Sequence, residues 1–233
     1  MRDLVANTTL LVSRADGPTG AKGNEPSFEA AISADGRLVA FTSSATNLDP
    51  DDTDPTDDVC VRDLVANTTT LVSRASGAPG DKSNGFSFSP TIPANLYVAF
   101  ASTASNLHPA DTDTDMDVFV RDLAISTTTL VSRATGANGA KGDGESGAPT
   151  ISASGRLVAF GSSATNLDSD DADTTEDVFV RDLQGNTTTL VSRAAGAAGV
   201  GGNGHSDDSA ISADGRFVTF ISRARTSTPT TSM

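Results

Sequence analysis

Three short acidic segments hold the side chains with the clearest capacity for chemistry. They read DTDPTDD from Asp52, DTDTDMD from Asp111 and DADTTED from Asp171, and each runs directly into an apolar stretch, VCV or VFV. Carboxylate oxygens at alternate positions of a loop let a short chain wrap around Ca²⁺, which takes about six to eight oxygen ligands. The segments therefore predict calcium-binding loops.

The candidate ligands occupy positions 1, 3, 5 and 7 of each segment. They are Asp52, Asp54, Thr56 and Asp58; Asp111, Asp113, Asp115 and Asp117; and Asp171, Asp173, Thr175 and Asp177. In the second segment, repulsion among four carboxylates about 7 Å apart costs roughly 3–4 kcal/mol even in water, and a divalent ion would remove it. An EF-hand would also have Gly at position 6 and Glu at position 12, and these are absent. The alternative is a set of hydrated loops whose Asp side chains make turns.

Other reaction chemistries have little support. His108 and His205 are isolated and Cys60 lies in a strand-like run, so the sequence does not favour zinc. Cys60 takes the place of Phe119 and Phe179 in the repeat, which indicates a core residue and not a nucleophile. No GxSxG motif is present. The acids recur in each copy, whereas a catalytic pair normally breaks the symmetry of a repeat, so we predict that the chain is not an enzyme.

Two other residue types recur with the acidic segments. Asparagines precede the segments at Asn47, Asn106 and Asn166. Their amides could supply a metal ligand, but capping of the turn is the favoured prediction. Arginines recur at Arg62, Arg121 and Arg181, each followed by Asp, and at the strand ends Arg14, Arg74, Arg133 and Arg193. Because they recur in step with the structural unit, we expect ion pairs between units and not a binding ring.

The acidic segments belong to a repeat of about 60 residues, in register at Arg2, Arg62, Arg121 and Arg181. Each period contains four strand-like runs, and none has the apolar spacing of a helix. The RLVAF and VFV runs are apolar on both faces, whereas TTTLVSR carries the polar residues of an outer edge. Asp35-Gly36 and Asp214-Gly215 predict hairpin turns, and the second copy lacks this glycine, so its turn should differ. A four-stranded sheet buried on both faces and repeated in tandem is typical of a β-propeller blade.

The phrases ISADGR, LVAF, SSATNL, DVFVRDL and TTTLVSR resemble the TolB-like, or WD40-like, β-propeller repeat of bacterial proteins. The resemblance covers about 220 residues, although the chain has no tryptophan and the family more often has six or more blades. It implies an all-β propeller with blades at residues 27–74, 87–133 and 146–193. A fourth blade would combine residues 206–222 with residues 2–14, or else the chain would be an open arc of a larger ring.

The predicted domain covers residues 1–223, followed by a disordered tail at residues 224–233. The tail lacks an acidic segment at the place where the repeat would supply one, which favours truncation of a longer chain. Since strands alternate in direction, the acidic segments and the glycine-rich connectors should share one rim. The ADG hairpins and the VAN or QGN turns should occupy the opposite rim.

Composition limits the partners. The net charge of −14 opposes binding to nucleic acid or to an anionic membrane, and a single cysteine excludes an internal disulfide. The N-terminus has no signal-peptide h-region, and no run is long enough to span a membrane.

We predict a non-catalytic binding or structural module, with possible Ca²⁺ and an unidentified protein or small-molecule partner. It would be monomeric if the ring closes and capable of self-association otherwise. The alternative function is a hydrolase acting at the rim or central channel. The resemblance implies a secreted or periplasmic parent protein.

Overall fold

The computed structural model describes residues 1–77, 80–93, 96–171, 173–196 and 199–224. These residues form β-strands joined by turns and loops, and they contain no helix that is long and apolar enough to cross a membrane. Residues 225–233 of the tail predicted at residues 224–233, and part of the second hairpin turn, lie outside the described residues. The all-β prediction is confirmed.

Three antiparallel four-stranded sheets form the body of the fold, and we call them blades 1, 2 and 3. Each runs in simple strand order. Blade 1 contains β3 (Ser27–Ile32), β4 (Leu38–Ser43), β5 (Asp58–Asp63) and β6 (Thr68–Leu71). Blade 2 contains β7 (Ser87–Thr91), β8 (Tyr97–Ser102), β9 (Asp117–Asp122) and β10 (Thr127–Leu130). Blade 3 contains β11 (Ser146–Ile151), β12 (Leu157–Ser162), β13 (Asp177–Asp182) and β14 (Thr187–Leu190).

The two ends of the chain form separate two-stranded sheets. These are β1 (Arg2–Asp3) with β2 (Thr8–Thr9), and β15 (Ser206–Ile211) with β16 (Val218–Ser222). The composite fourth blade is therefore not formed within the described residues, and the alternative prediction of an open arc describes the structure. Apolar side chains remain exposed at both ends, including Phe28 and Ile32 in blade 1 and Phe217 and Ile221 around β16.

Aromatic pairs fill the blade cores. Phe100 stacks on Phe119 with ring centroids 5.8 Å apart, and Phe160 stacks on Phe179 at 5.9 Å. In blade 1 the buried thiol of Cys60 is paired in register with Phe41, in the place of the second ring. Burial raises the pKa of this thiol well above its usual value, which keeps it protonated and unreactive.

The outermost strand of each blade is protected by the connector from the preceding unit. Thr69 in β6 donates its backbone N–H to Asp16 Oδ1 at 2.7 Å, and Thr128 in β10 donates to Ser76 Oγ at 2.9 Å. The polar edge predicted from TTTLVSR is therefore not bare, because side chains of the connector satisfy its backbone donors.

Among the described residues, the recurring arginines do not form the expected ion pairs between units, and the strand-end arginines Arg74 and Arg193 pair instead with Asp51 and Asp170 of their own blades. Arg181 is almost fully buried and donates to the carbonyl oxygens of Ala134 and Gly136 at 2.9 and 3.0 Å. Arg62 and Arg121 bond to connector carbonyls in the same way. The contact between units is thus made to backbone carbonyls. The connectors also reach the turns of the next blade, because Gly17 and Gly136 donate their backbone N–H groups to the carbonyl oxygens of Asn67 and Asn186. These turns had been predicted to lie on the rim opposite the connectors.

Candidate metal centre

The three acidic loops each bring three carboxylates together. In each loop, carboxylate oxygens from positions 1, 3 and 7 lie within 4.8 Å of one another. The three groups, here called triads 1, 2 and 3, are Asp52, Asp54 and Asp58; Asp111, Asp113 and Asp117; and Asp171, Asp173 and Asp177. Asp115, the carboxylate at position 5 of the second loop, lies outside its group. The position 5 residues of the three loops are Thr56, Asp115 and Thr175. Each donates its backbone N–H to the carboxylate at position 3, at 2.8–3.1 Å.

The strands and their neighbours fix the position 7 carboxylates. Asp117 is the first residue of β9, and its Oδ1 accepts a hydrogen bond from Ser132 Oγ at 2.6 Å. Asp177 begins β13 and accepts from Ser192 Oγ at the same distance. The Ser hydroxyl lies just beyond the outermost strand, so antiparallel pairing holds each carboxylate at the rim with one oxygen already bonded.

The position 1 carboxylates are buried with unsatisfied oxygens. Asp52 and Asp111 are each 1% exposed, and neither of their carboxylate oxygens has a hydrogen-bond partner among the described residues. Burial, together with the charge at position 7 of the same triad, raises the pKa of both carboxyls to about 7. Such groups are stable as anions only beside a cation.

Lysines from the glycine-rich connectors supply that cation in triads 1 and 2. The ammonium of Lys82 lies 2.7 Å from Asp58 Oδ2 and 3.0 Å from Asp54 Oδ1. In triad 2, Lys141 Nζ lies 2.9 Å from Asp117 Oδ2 and 3.1 Å from Asp113 Oδ1. These contacts agree with the prediction that the connectors reach the acidic rim. The sequence pattern had not assigned a role to these lysines.

Triad 3 has no such lysine. Gly201 takes the equivalent place, since it forms a bridge with Arg193 just as Lys82 does with Arg74 and Lys141 with Arg133. Within the part of the chain that the structure describes, no ion pair reaches this triad. Burial raises the pKa of Asp177 to about 6 and also raises that of Asp171.

A histidine lies beside triad 3 and breaks the symmetry of the repeat. His205 Nε2 lies 2.8 Å from Asp207 Oδ2 and 3.7 Å from Glu176 Oε2. Glu176 immediately precedes Asp177 in the acidic loop. Phe86 takes the place of His205 at the start of blade 2. Among the described loops, no other acidic triad has a histidine between two carboxylates beside it.

The recurring asparagines join the acidic loops to the connectors. Asn47 Oδ1 accepts the N–H of Asn24 at 3.0 Å, and its Nδ2 donates to the carbonyl of Lys22 at 2.9 Å. Asn106 makes the same two bonds to the next connector. The amide oxygen is therefore already bonded across the rim. It serves neither as a cap on its own turn nor as part of the carboxylate groups.

Apart from the acidic rim, the first strands of the blades and of the β15–β16 sheet form a groove that the sequence pattern did not predict. The groove has a volume of about 490 Å³ and is lined by β3, β7, β11 and β15. Each of these strands has a bulge at a non-glycine residue with positive φ. The four residues are Glu29, Ser89, Ala148 and Asp208. Bulges of this kind redirect side chains and commonly occur next to functional surfaces.

The fold is similar to that of known β-propeller proteins. TolB from Acinetobacter baumannii superposes with a TM-score of 0.50 at 14% identity, over 86% of this chain and 38% of TolB. An oligogalacturonate lyase in complex with manganese superposes with a TM-score of 0.50 at 11% identity, over 92% of this chain and 50% of the lyase. The chain thus spans half or less of either protein. At these identities the likeness shows the propeller fold alone.

No protein-family model matches the chain, and no curated protein is significantly similar to it in sequence.

Proposed function

We propose that the chain is a non-catalytic binding and structural module, in which a cation holds each acidic rim loop of a propeller arc. The observation that carries this proposal is the lysine ammonium inside triads 1 and 2. It lies within 3.1 Å of two carboxylates in each case. Each loop joins the second and third strands of a blade, so a loop held in one conformation presents a fixed rim to a partner.

The proposal is tested by removing one internal cation. Lys141→Met keeps an unbranched apolar stem, in a side chain one heavy atom shorter than that of lysine, but leaves the carboxylates of triad 2 without a counter-charge. Breaking a buried ion pair in this way costs about 3–5 kcal/mol, so the urea midpoint at pH 8 should fall markedly. Lys22→Met is the matched control, because Lys22 occupies the same place in a unit with no acidic triad among the described residues. An equal midpoint for Lys141→Met and the wild type would contradict the proposal.

We also propose that an external divalent cation of the Ca²⁺ type contributes to holding the rim. Extracellular calcium modules bind with Kd values of about 10⁻⁴–10⁻³ M. Such weak binding is useful where Ca²⁺ is plentiful, which agrees with the secreted or periplasmic parent protein implied by the resemblance to TolB-like repeats. Millimolar Ca²⁺ should raise the thermal midpoint relative to EDTA, since a ligand of the native state must stabilise it.

The partner that we propose for the open ends of the arc is a second copy of the chain. The β15–β16 sheet supplies the first two strands of a blade, and β1–β2 supplies the last two. Pairing of β16 in one copy with β1 in another would complete the blade. It would also cover the exposed rings of Phe28 and Phe217. Because different surfaces meet, the association would be head-to-tail.

A hydrolase is the second candidate function, and the cluster of His205, Glu176 and Asp207 favours it. A single site that the other blades lack is the arrangement expected of catalytic groups. The matching test is turnover of chromogenic ester, glycoside and peptide substrates by the wild type and by His205→Ala. Turnover that is lost with His205→Ala would replace the binding-module proposal with an enzymatic one.

A further inference from the structure

The three acidic loops have the same carboxylates but differ in how their charge is balanced. The connector residue that forms a bridge with the strand-end arginine, and that as a lysine reaches the position 7 carboxylate, is Lys82 beside triad 1, Lys141 beside triad 2 and Gly201 beside triad 3. It follows that carboxylate by 24 residues in all three cases. The third connector therefore has glycine, which carries no side-chain charge, where the other two have lysine, although its acidic loop has the same three carboxylates.

A buried oxygen in triad 3 has no partner. Asp171 is 6% exposed, and its Oδ2 has no hydrogen-bond donor among the described residues. Its Oδ1 accepts only a long bond of 3.3 Å from the backbone of Asp173. Leaving a buried carboxylate oxygen unpaired costs free energy comparable to a lost charged hydrogen bond. The unpaired side chain belongs to the group whose oxygens converge within 4.8 Å.

We propose that Asp171, Asp173 and Asp177 form a binding site for one oxygen-preferring divalent cation such as Ca²⁺, whereas Lys82 and Lys141 permanently fill the two equivalent sites. This inference rests on the proposed function and narrows it to one loop. The chain would then bind one ion, not three.

The lysine contacts explain why triads 1 and 2 exclude a metal ion. An ammonium at 2.7–3.1 Å from two carboxylates occupies the same space as a bound cation and repels another positive charge. In triad 3 three carboxylates offer hard oxygen ligands, and water can complete the coordination of Ca²⁺. Glu176, which immediately precedes Asp177 in the same loop, adds a negative charge that favours a cation.

The first experiment counts Ca²⁺ ions by isothermal titration calorimetry on the chelator-treated 233-residue chain. We expect one site in the wild type and at least a tenfold loss of affinity in Asp173→Asn, whose side chain is exposed and whose replacement should not disturb the fold. Three sites in the wild type would overturn the inference and leave the proposed function standing. Absence of binding in the wild type would also overturn it, while the Lys141→Met unfolding test of the proposed function stays independent.

The second experiment exchanges the connector residues. Gly201→Lys should remove the site by placing an ammonium in triad 3. A Cβ at Gly201 lies 3.1 Å from the carbonyl oxygen of Asp170, so Gly201→Ala is the control for this crowding and should keep the site. In the opposite direction, Lys82→Met should raise the count from one ion to two, and Lys22→Met should leave it at one. Unchanged counts in both Lys82→Met and Gly201→Lys would overturn the assignment.

Discussion

Lys82 Nζ lies 2.7 Å from Asp58 Oδ2, and this contact joins two consecutive structural units. Asp58 begins the third strand of blade 1, whereas Lys82 lies in the connector that leads to blade 2. Hydrogen bonds from Ser73 and Ser83, each 2.7 Å long, hold the other oxygen of Asp58. The ammonium therefore fixes the start of a buried strand and the path of the connector together.

The hairpin ion pair between Arg37 and Asp63 predicts an acid-dependent loss of stability. Its shortest contact is 2.6 Å, and the Arg37 guanidinium lowers the pKa of Asp63 to about 2. A carboxyl whose folded pKa is depressed contributes stability that is complete above its unfolded pKa of about 3.9. This contribution disappears as the pH falls towards 2.

We therefore expect wild type and Arg37→Met to differ in unfolding free energy at pH 7 and to converge below about pH 2–3. Urea unfolding followed by circular dichroism over this range measures the difference. Arg223→Met provides the control, because Arg223 is exposed and has no carboxylate partner among the described ion pairs. A difference between wild type and Arg37→Met that is independent of pH would contradict this prediction.

The buried guanidinium of Arg181 should be one of the main links between blades 2 and 3. It donates to the carbonyls of Ala134 and Gly136 and to Thr188 Oγ1. Arg181→Met would leave these acceptors unsatisfied, and we expect a loss of about 3 kcal/mol or more in unfolding free energy.

Arg181→Lys should recover little of that loss, because a single ammonium cannot reproduce the planar, forked donor arrangement. Urea denaturation measures both variants, with Arg223→Met as a surface control, because Arg223 is exposed and forms no ion pair among the described residues. Full stability of Arg181→Lys would show that charge alone, and not the donor geometry, holds the two blades together.

The open ends predict self-association through a specific ion pair. Arg216 occupies the repeat position of Arg37, and Asp3 occupies that of Asp63. In a blade completed by two copies, Arg216 of one copy would therefore contact Asp3 of the next. We expect the apparent mass in light scattering to rise with protein concentration.

Charge reversal provides the specific test of this interface. Arg216→Glu should weaken the association, and the double variant with Asp3→Arg should restore it. The double-mutant cycle separates a direct contact from general charge effects. A mass that stays at that of the monomer across the accessible concentrations would contradict the prediction.

Much of the blade could be predicted from the sequence because apolar alternation and repetition act over short distances. The strand DVFV and the turn Asp35-Gly36 are local signals, and the convergence of positions 1, 3 and 7 follows from the compact acidic loop. The lysines were missed because Lys82 meets Asp58 only after the chain completes the outer strand and a glycine-rich connector. The constant spacing of 24 residues was the available signal.

The choice between a closed ring and an open arc, which the sequence left as alternatives, and the inner bulges had no comparably local signal. Whether β16 pairs with β1 depends on the curvature of the whole arc, which accumulates over three blades and is not encoded in any single strand. The positive φ of Glu29 and Ala148 occurs at residues that are not glycine, so residue type does not mark these bulges. The loss of lysine at Gly201 was visible in the sequence, but its meaning depended on knowing what Lys82 contacts.

The most direct measurement of the central claim is a crystal structure of the wild-type chain grown with Mn²⁺, which substitutes for other oxygen-bound divalent ions and scatters anomalously. The account predicts one anomalous peak, between the carboxylates of Asp171, Asp173 and Asp177, with Lys82 and Lys141 seated in the other two triads. Anomalous peaks in triads 1 or 2 with the lysines displaced, or no peak in triad 3 at saturating Mn²⁺, would contradict it.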